Sequence, residues 1–379
     1  MEVIHRLKIG NCDMFDFVMG GAGVGKSHLI LAIVQTLIRQ FIKQPGVNES
    51  SPVVLVCAAT GKAAHNVRGI TLHCAFKLPP NQYGGTLANL HDDVTNSLRV
   101  KLAHLKLLII DEISMVSWKQ FMQVNTRLQQ IFANKLPFGG IPVLLVGDFR
   151  QIRPFAGKFI FEQNQSSLFD LIVGNSLWQK FRVFELTEIM RQKEDLLFAE
   201  ALNRLADGAL TTEDIQLFRS RVVSETLQPP PDAIRLFGSN KDCAEYNITV
   251  HQSLSTEEAL SIAYDRVQGN CTTQQKQFLL ENTKSLPTKD TDGLPNSVLL
   301  KVGAIYMISL NVDVADGLFN GSTGVLKKIC FGTRGDNQIP IRVFMEFDDP
   351  LVGSMASAAL RNYTSFPSKW TPVGLFHKV

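Results

Sequence analysis

An apolar run, Phe15 to Met19, passes without a break into the glycine-rich string GGAGVGKS at Gly20 to Ser27, and an amphipathic stretch follows at once. In that stretch Ile30, Ile33, Val34, Leu37 and Phe41 fall on one helical face. Strand, glycine-rich turn and helix in this order build a phosphate cradle, the P-loop. The glycines let backbone N–H groups turn toward phosphate oxygens, and the helix N-terminus adds the positive end of its dipole. The cradle is expected to comprise Gly20, Gly21, Ala22, Gly23, Val24, Gly25, Lys26, Ser27 and His28. Lys26 would reach the β- and γ-phosphates of ATP, and Ser27 would ligate Mg2+. A glycine-rich loop serving only as a turn would need neither the amine nor the hydroxyl.

Three further apolar runs follow: VVLVC at Val53 to Cys57, LLII at Leu107 to Ile110 and VLLVG at Val143 to Gly147. Continuous runs of this kind fit strands of a parallel sheet covered on both faces. Their alternation with helical segments gives an α/β fold whose ligands sit at the strand carboxyl ends. Asp111 and Glu112 end the second of these runs. A neighbouring parallel strand would set both acids beside the cradle, Asp111 holding the metal through water and Glu112 activating the attacking water. Without the cradle upstream, the same pair would read equally as a solvated helix start. The third run delivers Gly147, Asp148 and Gln151 to the same edge. Gln151 has two readings of equal standing, a γ-phosphate sensor or a loop amide satisfying backbone groups. Arg150 and Arg153 flank it and add positive charge.

At 379 residues the chain exceeds what one hydrophobic core usually organises. The proline run in LQPPPDA, Leu227 to Ala233, marks the boundary between residues 1–226 and 227–379, and IRLFG at Ile234 to Gly238 opens a new apolar run beyond it. AIYMISL, GVLKKICF and IPIRVFMEF, joined by Gly- and Asp-rich turns, read as a small antiparallel β module at about 297–350. Gln44 to Pro52 and Lys77 to Gly85 are loops by composition, the latter within a short 77–95 insertion. Phe198, Ala201, Leu202 and Leu205 form a stripe expected in the core. A net charge of +3 permits a polyanionic partner without arguing for one, so any nucleic-acid reading must rest on motifs. The six cysteines lie far apart and read as reduced, mostly buried thiols. No apolar run has the roughly 18 residues of a membrane span.

The order and wording of GGAGVGKS, AATGKAAHNVRGITLHCAF, IIDEISMV, KLPFGG, GDFRQIRP, ELTEIMRQ, LFGSN, and LKVGA followed by GLFNGSTG resemble a Pif-type DNA helicase, of the RecD/Pif branch of superfamily one. LWQKFRVFELTEIMRQ and EFDDPLVGS are most similar to the helicase domain of Helitron transposons. The resemblance implies a P-loop RecA-like domain with a parallel sheet, then a partial second RecA-like domain carrying an SH3-like, β-rich insertion. It implies single-stranded DNA and duplex junctions as partners, 5′ to 3′ movement, a working monomer, and the nucleus, or alternatively the mitochondrion, as location. Thr60, Lys62 and His73 would lie near DNA phosphates with Phe76 close by, although His73 and Phe76 also fit as packing groups. Arg191 takes the arginine-finger position and would stabilise transition-state charge. Ser239 and Asn240 match a phosphate-contacting turn after the first strand of the second domain.

Two family segments are missing from the sequence as it stands. No glutamine that could read adenine precedes the first strand, and the chain stops at Val379 before a Ser-Gln-Gly segment and a serine-arginine pair. The expectation is a helicase truncated at both ends. Two functions compete: an ATP-dependent motor on single-stranded DNA, and a catalytically impaired remnant that binds nucleotide or nucleic acid without unwinding. A P-loop ATPase acting on protein partners stands behind both.

Overall fold

The computed structural model describes residues 6, 13–41, 51–79, 87–155, 157–162, 177–192, 194–223, 233–286, 291, 294–334, 337–360 and 366–374. The chain divides into two compact units, Met1–Pro229 and Pro230–Val379. The first unit carries a six-stranded parallel sheet of β1 (Phe15–Gly20), β2 (Val54–Ala58), β3 (Ile70–Thr71), β4 (Leu107–Asp111), β5 (Val143–Gly147) and β6 (Arg182–Leu186). Their spatial order is β3-β2-β4-β5-β1-β6, with every pairing parallel. The four apolar runs of the sequence coincide with β1, β2, β4 and β5, whereas β3 and β6 had no such signal. β3 is too short to show a pattern, and β6 is an edge strand whose residues are mostly exposed.

Every residue of β2, β4 and β5 is buried, because side chains alternate between two covered faces. On one face Leu108, Ile110, Val143 and Leu145 pack with Phe121, Val124, Leu128 and Ile131 of the helix Trp118–Phe132. On the other, Leu107, Ile109, Leu144 and Val146 pack with Ile30, Ile33, Leu37 and Phe41 of the helix Lys26–Phe41, the stripe legible in the sequence. The helix Trp118–Phe132 starts at a capping box: Ser117 Oγ accepts from Gln120 N at 3.2 Å, and Gln120 Oε1 accepts from Ser117 N at 3.1 Å. Phe138 packs against its first turn, with ring centroids 5.3 Å from Phe121, 5.8 Å from Phe15 and 6.2 Å from Phe181. One charge interrupts β1. Asp16, 1% exposed, accepts from Arg6 Nη1 at 3.0 and 2.9 Å and from Arg182 Nε at 3.2 Å. Such pairing offsets the several kcal/mol that burial of a lone carboxylate costs.

In the second unit β7 (Glu258–Ile262) and β8 (Ser297–Lys301) form an antiparallel ribbon. β9 (Ile305–Met307), β10 (Thr323–Arg334), β11 (Asn337–Phe347) and β12 (Thr371–Gly374) form an antiparallel sheet in the order β12-β11-β10-β9. Leu326, Ile329, Val343, Met345 and Phe347 are its core. Asp316, buried, accepts from Met355 N at 2.8 Å and Ala356 N at 2.9 Å and so caps the helix Ser354–Leu360 beside the sheet. The antiparallel texture matches the sequence reading. The sheet, however, recruits β12 from beyond residue 350 and leaves β8 to the ribbon.

Several expectations are corrected. Ile234 to Gly238 forms no strand, and Ile234 at 83% and Leu236 at 93% exposure show why: no neighbouring strand of the described residues covers or pairs with them. Of the helix Leu196–Ala206, Ala199 and Ala201 are buried but Leu205 is 49% exposed, so the stripe is only partly core. Among the described cysteines, all free, only Cys57 is buried and Cys74 is exposed. The loops at Gln44 to Pro52 and Lys77 to Gly85 lie largely outside the described residues.

Phe138 has no exposed surface and three aromatic neighbours, so Phe138→Ala is expected to cost the first unit about 3–5 kcal/mol. Urea unfolding followed by tryptophan fluorescence reads this. A loss below about 1 kcal/mol would show that the aromatic cluster is not part of the cooperative core.

Candidate functional site

β1 ends at Gly20 and the following helix begins at Lys26, which places the glycine-rich loop at the carboxyl edge of the sheet. Lys26 Nζ donates to the carbonyls of Gly20 at 2.7 Å and Gly21 at 2.8 Å, so the amine lies within the loop. Ser27 and His28 are exposed on the first turn of the helix, as is Ala22 in the loop, while Val24 is half-buried. Gly23 has φ +80°, and its carbonyl accepts from Met190 N at 2.9 Å and Arg191 N at 3.0 Å. A Cβ at Gly23 would stand 2.7 Å from Arg191 Cβ. The segment after β6 is therefore clamped onto the cradle. Parallel pairing makes this possible, since Gly20 of β1 lies opposite Leu186 at the end of β6. Arg191 thus starts at the phosphate loop with its side chain exposed.

Asp111 ends β4 and Glu112 follows it, but β4 is not the neighbour of β1. β5 runs between them, which sets β4 two strand spacings, about 10 Å, from β1. Asp148, the residue after β5, is therefore the acid that follows the strand beside β1, and the register Met19↔Gly147 leaves it level with Gly20. Of the charges acting on Lys26, Asp148 pulls hardest, then Glu112 and Asp111, with Arg191 opposing them. Burial outweighs these and holds the Lys26 amine below its ordinary pKa. Asp148 was absent from the expected catalytic set, although it carried the same signal as Asp111, an acid directly after a buried run.

Asp111 is buried, and its Oδ1 accepts from Glu112 N at 2.9 Å. Burial pushes its carboxyl up to about 6, against the lowering effect of that hydrogen bond and of Lys26. Glu112 is half-buried and sits in the left-handed region at φ 50°, ψ 47°, uncommon for a residue with a side chain. Beyond Asp148 the chain turns at once, with Gln151 N donating to Asp148 O at 3.0 Å and Gln151 half-buried. The loop thus holds Gln151 three residues from the acid that faces Lys26.

The residues expected at DNA behave unequally. Thr60 caps the helix Gly61–Asn66, its Oγ1 accepting from Ala63 N at 3.2 Å, which leaves the hydroxyl hydrogen free to donate. Lys62, the second residue of that helix, is exposed, and His73 is half-buried with burial lowering its pKa. Phe76 is corrected. With 0% exposure it belongs to the main core with Cys57 and Leu72, and its ring offers no surface to a base. In the second unit Ser239 caps the helix Asn240–Ser253 through Asp242 N at 3.2 Å, and Asn240 is the first residue of that helix. The strand expected to precede this turn is absent.

Two variants probe this geometry. For Asp111 the folded pKa lies above the unfolded value of 3.8, so ionisation costs stability: the penalty is absent below pH 3.8, grows as pH rises toward 6 and is full above it. In chelator, Asp111→Asn is expected to gain about 2–3 kcal/mol at pH 7.5 and under about 1 kcal/mol at pH 4. Thermal melts at both values read this, and an equal gain at both would overturn it. Gly23→Ala must adopt a left-handed φ and displace Arg191, costing about 1–3 kcal/mol and weakening nucleotide binding at least about tenfold. Titration with a fluorescent ATP analogue checks it, and wild-type affinity would refute it.

The sequence profile for PIF1-like helicase matches residues 2–216, a span holding the cradle, Asp111, Glu112, Asp148, Gln151 and Arg191. The ATP-dependent DNA helicase PIF1 of Candida albicans is 30% identical over 317 residues, covering 81% of this chain and 32% of that protein. Its counterpart in Emericella nidulans is 29% identical over 313 residues, covering 81% of this chain and 38% of that protein. The chain thus spans about a third of the length of these relatives. The crystal structure of the Candida albicans Pif1 helicase superposes with a TM-score of 0.60 at 25% identity, covering 98% of this chain and 77% of that one. The sheet with its phosphate cradle is accordingly RecA-like, and the chain belongs to the PIF1-like helicase family.

Proposed function

We propose that this chain hydrolyses ATP and uses the cycle to move 5′ to 3′ along single-stranded DNA toward duplex junctions, acting as a monomer in the nucleus. The observation that carries the reading is the gathering of Asp148, Glu112 and Asp111 around Lys26 at the edge where the cradle lies. The Lys26 amine is held inside the loop by the Gly20 and Gly21 carbonyls, where it would meet phosphate oxygens, and the acids beside it would hold a divalent cation bound with them. The donors at hand, the Ser27 hydroxyl and the Asp111 carboxylate, are hard oxygens and suit Mg2+. When bound, the ion would neutralise charge developing between the β- and γ-phosphates. Lys26 would hold the phosphates, Glu112 would accept the proton of the attacking water, Gln151 would sense the γ-phosphate, and Arg191 would stabilise charge on the transferred group. Thr60, Lys62 and His73 would meet the DNA backbone, with hydroxyl, ammonium and imidazole donors that suit phosphate oxygens of any sequence.

The second unit supports the competing reading. The exposed Ile234 to Gly238 segment and the absence of a parallel sheet among its described residues favour a chain that binds nucleotide without unwinding. ATP turnover with and without single-stranded DNA separates the two. The motor reading expects DNA-stimulated turnover that falls about 10²–10⁴-fold in Glu112→Gln with nucleotide binding retained, and binding itself lost in Lys26→Ala. Nucleotide binding with no turnover in the unaltered chain would sink the motor reading and leave the other.

A further inference from the structure

We propose that Arg150 is a positioning residue of the nucleotide site, holding Asp148 off Lys26 while tying the end of β5 to the phosphate loop and to the end of the helix Leu196–Ala206. The inference rests on the nucleotide reading given above. Asp148 is 5% exposed and follows directly on β5, level with Gly20. Left without a cation of its own, such a carboxylate would draw the nearest ammonium, and that ammonium belongs to Lys26. Arg150 intervenes at two atoms. Its backbone N donates to Asp148 Oδ1 at 3.0 Å and its Nε to the same oxygen at 3.2 Å.

The rest of the guanidinium points elsewhere. Nη1 lies 3.6 Å from Asp207 Oδ1, and Asp207 is the C-cap of the helix Leu196–Ala206. Nη2 lies 2.9 Å from where a Cβ on Gly21 would stand, with Asn203 Oδ1 of the same helix at 3.4 Å from that point. One side chain therefore pairs with a sheet-end acid and a helix terminus and lies beside Gly21 of the cradle. Arginine suits this because its rigid fork spans two carboxylates at once, whereas a lysine offers one point charge. With Asp148 and Asp207 both facing it, the charge of Arg150 is already compensated, so its part is to place other groups rather than to bind phosphate.

A double-mutant comparison tests this on the full chain. Binding of a fluorescent ATP analogue with Mg2+ to the unaltered chain, and its loss in Lys26→Ala, are read first; failure there counts against the site itself. Arg150→Ala is then expected to weaken nucleotide affinity and raise the KM for ATP about tenfold, kcat changing less, because Asp148 now competes for Lys26. In the Asp148→Asn background the same substitution is expected to change affinity less than about twofold, since no competing charge is left. Arg150→Lys should recover only part of the loss, because one point charge can answer Asp148 without spanning to Asp207. Wild-type affinity in Arg150→Ala would overturn the proposal, and so would an equal loss in both backgrounds, which would mark Arg150 as a phosphate ligand or a plain structural strut. Should Arg150→Ala fail to fold, Arg150→Gln, uncharged but of similar reach, carries the same expectations in both backgrounds.

Discussion

Strands of a parallel sheet all point one way, so hydrogen-bond register alone determines which residues reach the shared carboxyl edge together. In this chain Met19 pairs with Gly147, Ile110 with Leu145, and Gly20 with Leu186. Those pairings carry the cradle, Asp148, the Asp111–Glu112 pair and the segment bearing Arg191 to one edge from four separate stretches of sequence. The apolar faces on either side hold the register, because slipping a strand by one residue would turn its buried set onto the wrong face. Packing of Ile109 or Val146 therefore has a chemical consequence although neither residue touches the site.

The edge so assembled is electrostatically tense. Lys26 loses hydration, Asp111 is driven up to about 6 by burial, and Glu112 is held in a backbone conformation that few side-chain-bearing residues adopt. Each of these features works against stability by itself, and each is relieved or used by a bound anion and its cation. Costs of this sort concentrate where chemistry occurs, since a fully relaxed site would have nothing left to gain from its ligand. Asp16, by contrast, is just as buried but satisfied by Arg6 and Arg182, and it stands near the amino end of β1, away from the carboxyl edge. Burial of a carboxylate alone does not mark function; burial together with incomplete pairing at a strand end does.

The second unit is organised on another principle. Its antiparallel sheet is stabilised by one apolar face and by side-chain links such as Asp316 at a helix start and the Tyr306 hydroxyl, which accepts from Lys301 N at 2.7 Å and donates to Leu299 O at 3.0 Å. The exposed run before Ser239 shows how weak a local apolar signal is when no partner strand is supplied.

Much of the first unit was legible in order because its signals are local. A buried parallel strand is a short apolar run, and a phosphate loop is a string of glycines ended by lysine and a hydroxyl, so β1, β2, β4, β5, the cradle, Asp111 and Glu112 could all be located by inspection. What remained out of reach was the lateral order of the strands. Nothing in the linear text says that β5 lies between β4 and β1, and from that single fact come the primacy of Asp148 and the place of Arg150 against Gly21. The sequence by itself determined which groups exist and on which strand ends they sit, because main-chain conformation answers to near neighbours. Only the tertiary structure decided which of those groups face one another, because strand order is set by the summed packing of two sheet faces, a quantity no single segment contains.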